Sequence, residues 1–478
     1  MAFTSQAFVI FLPVIFLLYW FVFKKSSRSQ NILLLFASMI FYGWADWRFL
    51  FLIVGSAIFN FIVGIKIYNS SQDKIKLLYF WLGAIINLGI LGFFKYFNFF
   101  YDNFVEVINL FGLNSNHSTL ILILPLGISF FTFQTLGYLI DIYNEEIEPS
   151  IDFFAFSTYV LYFPKVIAGP IERAQKFLPQ IKSARVFDYT LASDGLKQIA
   201  WGLFAKVVVA DNCAPYVNQI FGSYQEQSSF VLLSGLFLYF IQIYADFSGY
   251  SNIALGVSKL FGIRLMINFA TPFFSTNISE FWKRWHISLT SWLMNYVFTP
   301  LSFVLRRYKK KAIFLSILIT FILVGFWHGA NWTFIVFGLL NGLYFLPLVL
   351  KGSINSIATH NKNTISHLIS KFFQMAGLFC LLTITIVFFR SDNLSQAFSY
   401  LYHIFVSDLY YVSDSVKAVM VLPIILIIPE WFQRKQEHAL QFNNRKVPTI
   451  IRWLIYYVIF FLMVNYMGGQ NSFIYARF

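Results

Sequence analysis

Two histidines stand where an imidazole is costly to keep. His328 lies inside the apolar stretch Phe314 to Leu346, within GFWHGANWTF. On a continuous helix, Asn331 and Trp332, three and four residues on, would share its face, and Trp327 would not. Gly325 and Gly329 are also four apart, a spacing that lets a neighbouring backbone approach closely. An ionisable ring within an apolar segment needs a compensating partner and is by default a functional candidate. A buried imidazole titrating near neutrality is suited to removing a proton from a hydroxyl. The structural reading is a neutral ring satisfied by a neighbouring helix, and the segment alone leaves both open.

His286 closes the polar segment STNISEFWKRWHISL, 42 residues earlier. Asn277 can cap a helix there, Glu280 completes a capping-box pattern, and Glu280 can pair with Arg284. Trp282, Trp285 and His286 then gather on one side, with Lys283 and Arg284 facing elsewhere. One reading is a funnel wall in which the aromatics stack on a base or a pantetheine arm and the cations meet phosphates. The other is an interfacial amphipathic helix with Trp anchors and snorkelling cations.

A third stretch, IQIYADFSGYSNIALG, places Asp246 beside Ser248, Tyr250, Ser251 and Asn252 at the end of an apolar run. A carboxylate at membrane depth needs a partner, but a helix-end cap or a water-facing Asp would account for it equally. Lys165 in YFPKVIAGP reads more simply as a topology marker than as a phosphate ligand. His117, His360, His367, His403 and His438 sit in polar or loop-like surroundings and read as solvated. No Walker loop, His-Glu metal pattern or serine elbow occurs, so neither a metal nor nucleotide hydrolysis is expected.

These residues need a vessel, and composition says what kind. Of 478 residues 58% are hydrophobic and 12% charged, against roughly 25% charged in a soluble domain. This excludes a soluble globule. The net charge of +14 falls in short clusters between apolar runs, as the positive-inside rule requires and a nucleic-acid-binding surface does not. With only Cys213 and Cys380, no disulfide framework exists. The opening MAFTSQAFVIFLPVIFLLYWFVFKK lacks an early basic residue and a cleavage pattern, and reads as a retained first span.

About a dozen apolar segments are long enough to cross, or nearly cross, about 30 Å of hydrocarbon. They include Leu120 to Ile140, Phe153 to Ile167, Phe230 to Tyr244, Ala312 to Trp327, Thr333 to Leu350, Phe372 to Phe389 and Ile450 to Met467. Lys24, Lys25 and Arg28, then Lys66, Lys74 and Lys76, mark cytoplasmic connections, with a hairpin between them turning at Asp46 to Arg48. Leu191 to Phe221 reads as an amphipathic helix, interfacial or packed inside. The polar insert at about 263–311, closed by Arg306, Arg307, Lys309, Lys310 and Lys311, is expected on the cytoplasmic side, buried in protein, lining a cavity or lying at an interface. The expectation is one all-α, multi-pass membrane domain over 1–478. It has about 10–12 membrane helices with shorter interfacial or re-entrant ones, in contact with membrane lipid and not with nucleic acid.

The set YFPKVIAGPIER, IQIYADFSGYS, NISEFWKRWHISLTSWL, GFWHGANWTF and the terminal FIYARF resembles the bacterial branch of the membrane-bound O-acyltransferases, the family of the alginate O-acetylase membrane subunit. The resemblance runs from the first span to the last residue. It implies helices around a central funnel in a bacterial inner membrane, an acyl donor from the cytoplasm and an acceptor outside. It places the family's intramembrane histidine on His328, as general base, and its second on His286. Trp282, Lys283, Arg284 and Trp285 would line the donor side, with Asp246, Ser248, Tyr250, Asn331 and Trp332 as further funnel candidates.

The activity implied is transfer of acetyl from acetyl-CoA, a substrate rather than a resident cofactor, towards an extracytoplasmic polysaccharide such as an alginate-like polymer or peptidoglycan. In many relatives it passes through a periplasmic SGNH/GDSL hydrolase-like acetyltransferase. The nearest alternative is D-alanyl transfer to teichoic acid, and those from other classes are a transporter or a recruiting scaffold. Lys165, Asn252, Asn341, Met294, Asn295, Ala476 and Arg477 depart from the family pattern, Asn341 standing where a further His is common. The departures bear on the acceptor and the partner contact.

Overall fold

The computed structural model describes residues 1–112, 120–354, 365–408, 419–442 and 447–466. His117, His360, the side chain of His367 and the terminal FIYARF lie outside the described residues. The described chain is helical without strands, and seven helical stretches are long and apolar enough to cross a membrane. The first is the 43-residue stretch Ser27–Asn69, two helices joined by the short turn Trp47–Phe49. The turn falls where the hairpin was expected, Asp46 accepting from the Arg48 N–H and pairing with its guanidinium at 2.6 Å. Lys310–His328, Trp332–Lys351, Leu368–Arg390 and Thr449–Tyr466 match four expected spans closely.

Other segments are shorter than their hydropathy promised. The helix expected across Phe153 to Ile167 is only Phe153–Leu161, nine residues capped by Asp152. Pro164 denies the helical conformation to the residue before it, and the chain turns instead. In Leu120 to Ile140 the helix begins at Ile128, after Gly127 at φ 71°, and runs to Tyr143 almost wholly buried. Protein encloses most of both helices.

The chain falls into two compact units, Met1–Leu196 with Ala254–Met266, and Lys197–Ile253 with Ile267 onward. In the first, Asn60 and Asn87 exchange amide hydrogen bonds at 3.1 and 2.7 Å, and the Thr135 hydroxyl donates to Asn87 Oδ1 at 3.0 Å. This ladder ties three helices by groups that lipid could not satisfy. Lys165, expected as an exposed marker, is instead buried here, donating to Gln134 Oε1 at 2.5 Å and the Tyr159 carbonyl at 2.7 Å.

The second unit holds both organising histidines. The helix Ser229–Leu260, whose residues up to Ile253 lie in this unit, has 83% of its apolar window buried, against 6% for Thr449–Tyr466. Asp246 therefore lies mid-helix, not at a helix end. The expected amphipathic helix is packed inside: Phe204 to Ala210 widen into a wholly buried π-helical turn that includes Lys206.

Candidate active site

The local chain around His286 follows its sequence closely. The Asn277 side chain accepts from Glu280 N–H at 2.9 Å, and Glu280 pairs with Arg284 at 2.6 Å. The return arm of the capping box goes one residue further, to the N–H and hydroxyl of Thr276, both at 2.9 Å. The helix Ile278–Trp282 then ends, and His286 adopts a left-handed conformation (φ 45°, ψ 51°) that opens the next helix, Ile287–Leu293.

This turn drives the ring inward, where it is fully buried. Its Nδ1 lies 3.1 Å from Asn268 Oδ1, which also accepts from the Ser288 N–H at 3.3 Å and hydroxyl at 2.9 Å. An oxygen that accepts all three fixes the tautomer: Nδ1 carries the hydrogen and Nε2 the lone pair. Burial pushes the imidazole down to about 3, so the ring stays neutral.

His328 is placed differently from the expectation. It is the last residue of the helix Lys310–His328; the chain extends at Gly329, and Asn331 caps the next helix, Trp332–Leu343. Asn331 and Trp332 thus do not share a helical face with His328. Asn331 Nδ2 donates to the Asp392 carbonyl at 2.8 Å, and Trp332 is 52% exposed. The residue expected to face away, Trp327, is the one that touches both imidazoles. Its indole meets His286 edge to face at 5.5 Å between centroids and His328 at 5.0 Å. The glycine expectation holds at Gly325, where a Cβ would collide with the Phe334 carbonyl and crowd Gly338 N.

His328 is buried, with Phe389 edge to face at 5.0 Å, and lines a cavity of about 20 Å³. Trp282, Trp285 and Asn341 line it too, and the rest of its wall is Phe, Leu and Ile. No carboxylate or cation is among the lining residues. The Trp282 Nε1–H is buried with no hydrogen-bond partner among the described residues. Lys283 is exposed and Arg284, held by Glu280, partly so. The structure thus brings Trp282 and Trp285 to His328 and leaves the two cations outside.

Asp246 is buried and ion-paired with Lys206 Nζ at 2.7 Å, and the same ammonium meets Asp211 at 2.8 Å. Ser248 is buried and Tyr250 partly so. The residue between Asp246 and Ser248, Phe247, packs edge to face on His286 at 4.7 Å. Sequence reasoning missed Lys206 as a partner and Asn268 as an anchor. His438, read as solvated, is buried, and His403 is half-buried with Nδ1 2.8 Å from the Ser399 carbonyl. Among the described residues no three His, Cys, Asp or Glu side chains cluster to hold a metal.

Fold and site together define a multi-pass helical membrane protein with an enclosed imidazole site. Residues 143–389 match the model of the membrane-bound O-acyltransferase family. The chain is 35% identical to the peptidoglycan O-acetyltransferase of Helicobacter pylori over 81% of its own length and 76% of that protein's. It is 35% identical to the probable alginate O-acetylase AlgI of Pseudomonas aeruginosa over 83% of this chain and 73% of that one. The teichoic acid D-alanyltransferase of Streptococcus thermophilus is 33% identical over 46% of this chain and 55% of its own. The chain belongs to the membrane-bound O-acyltransferase family and is an acyltransferase.

Proposed function

We propose that the protein moves acetyl from cytoplasmic acetyl-CoA across a bacterial inner membrane for O-acetylation of an extracytoplasmic polysaccharide, with His328 as general base. The carrying observation is the shared wall of one small cavity, where His328 stands with Trp282 and no charged group is present. His328 takes the proton of the acceptor hydroxyl as the oxygen attacks the thioester carbonyl. The developing oxyanion receives the Trp282 Nε1–H, an electrostatic contribution that grows in the transition state. The C–S bond then breaks, and the imidazolium returns its proton to the departing thiolate.

Trp285 forms the donor-side wall. His286, neutral and with its acceptor lone pair on Nε2, is a second polar ring beyond Trp327. Lys283 and Arg284, on the outer side of that segment, meet the nucleotide phosphates. The polar insert faces the cytoplasm, and a periplasmic hydrolase-like acetyltransferase takes the group onward to the polymer.

The D-alanyl reading draws support from the Streptococcus relative's name. The wall speaks for acetyl instead, since it offers no carboxylate to an alanyl ammonium, and a buried unpaired charge is strongly disfavoured. Purified full-length protein with its partner and polysaccharide fragments should consume labelled acetyl-CoA and acetylate the polymer. His328→Gln should insert and fold but transfer nothing. Undiminished transfer by that variant would remove the proposed base, and a D-alanylated product would replace the donor.

A further inference from the structure

Asn341 is fully buried in the helix Trp332–Leu343, on the wall of the His328 cavity. Its Nδ2 donates to the Phe337 carbonyl, one turn back, at 2.8 Å. That bond fixes the amide's orientation, because exchanging oxygen and nitrogen would set two acceptors against each other. The amide oxygen is thereby turned from its own helix, and it has no hydrogen-bond partner among the described residues. A buried acceptor in that condition is costly, whereas a leucine of similar volume would carry no such penalty. The residue type makes sense if a substrate brings the missing hydrogen.

We propose that Asn341 Oδ1 binds the acyl donor by accepting the amide N–H of its pantetheine arm, the first polar group behind the thioester sulfur. The assignment rests on the acyl-transfer reading above and names a contact that reading does not contain. The alternatives near the reacting carbon run out quickly. An acceptor hydroxyl has one hydrogen, and it must face His328 to be removed. The acetyl group, the thioester carbonyl and the sulfur offer none. Asn341 shares the wall of this cavity, about 20 Å³, with Trp282, Trp285 and His328, so an arm that brings the thioester to His328 passes within reach of it. Trp282 and Trp285 supply the apolar surface along which the ethylene spacer lies. Coenzyme A and acyl carrier proteins share this arm, so the contact does not depend on which carries the acyl group.

The test compares three small thioesters with the intact protein in inverted membrane vesicles, after subtracting thiol release by vesicles that lack it. S-acetyl-N-acetylcysteamine carries the amide hydrogen, its N-methyl derivative lacks only that hydrogen, and S-butyl thioacetate lacks the amide. The unaltered protein should favour the first over the other two by roughly fivefold to tenfold in kcat/KM, the worth of one hydrogen bond to a buried acceptor. Asn341→Leu should bring the ratio close to one, chiefly through a higher KM for the first thioester, while its thermal midpoint does not fall. A structural role would instead lower the midpoint and slow all three donors alike. Equal rates for the first two thioesters with the unaltered protein overturn the assignment without any variant, as does a preference that survives in Asn341→Leu. Thiol release from none of the three would overturn the acyl-transfer reading and this contact together.

Discussion

Trp327 and His286 meet edge to face, 5.5 Å between centroids and 72° between planes, while the same indole lies 5.0 Å from the ring of its neighbour His328. The two imidazoles are therefore held at one spacing by a single buried side chain. Trp327→Phe keeps a flat ring in that position, and Trp327→Ala removes it and opens a cavity, at a cost of about 3–5 kcal/mol. Acetyl transfer per folded molecule should fall modestly in the first variant and at least tenfold in the second. Equal rates in Trp327→Ala and the unaltered protein, measured on the fraction that elutes as folded, would show that the spacing has no bearing on transfer.

His286 also imposes a pH dependence on stability. Burial pushes its folded value down to about 3 from an ordinary 6.5. Between those limits the unfolded chain binds a proton that the folded chain refuses, so stability is complete above about 6.5 and is lost as pH falls. The slope is about 1.4 kcal/mol per pH unit until other groups intervene. Thermal midpoints of the detergent-solubilised protein should drop between pH 6.5 and 4.5 more steeply than those of His286→Gln. Parallel curves would mean that the ring takes up its proton in the folded state.

What the sequence disclosed was mostly local. The Asn277 cap and the Glu280–Arg284 pair are interactions at three and four residues, and spacing alone specifies them. The close approach at Gly325 was legible for the same reason. The helix end at His328 was signalled by a glycine followed two residues later by a capping Asn before an apolar run, but the hydropathy of the whole stretch hid it. Lys165 was misjudged because hydropathy counts a lysine as an exit from the membrane, and Lys206 was missed as a partner. Their partners, Gln134 for one and Asp246 for the other, lie on other helices. Asn268 carries no sequence signal at all, since its role exists only once the loop has brought it to His286.

Lys206 illustrates the energetic weight of such hidden partners. Burial works against its charge, yet Asp246 and Asp211 outweigh that and hold its proton more firmly than usual. Lys206→Met would leave two carboxylates buried without this cation, and breaking a buried pair from one side costs about 3–5 kcal/mol. Asp246→Asn leaves the ammonium its other partner and should cost less. Because Phe247 packs on His286 next door, both changes should also slow transfer, Lys206→Met more. Thermal unfolding and transfer rates of the two variants check the order, and a less stable Asp246→Asn would reverse the assignment of Lys206 as the shared partner.

Gly325 provides the strictest geometric test, because its neighbours are backbone and cannot swing aside. A methyl group there would overlap the Phe334 carbonyl and stand 3.0 Å from Gly338 N. The helices Lys310–His328 and Trp332–Leu343 must then separate, and His328, three residues beyond Gly325, moves with the first of them. Overpacking of this kind costs about 1–3 kcal/mol, while even a small displacement of a base from its substrate slows the chemistry heavily. Gly325→Ala should therefore lose transfer by tenfold or more with only a moderate drop in thermal midpoint. Gly377→Ala is the matched control, since a Cβ there meets nothing within 4 Å, and replacing a helical glycine with alanine should leave transfer unchanged and raise stability slightly. Full transfer by Gly325→Ala would mean that the two helices have slack at their crossing, and that the position of His328 is set elsewhere.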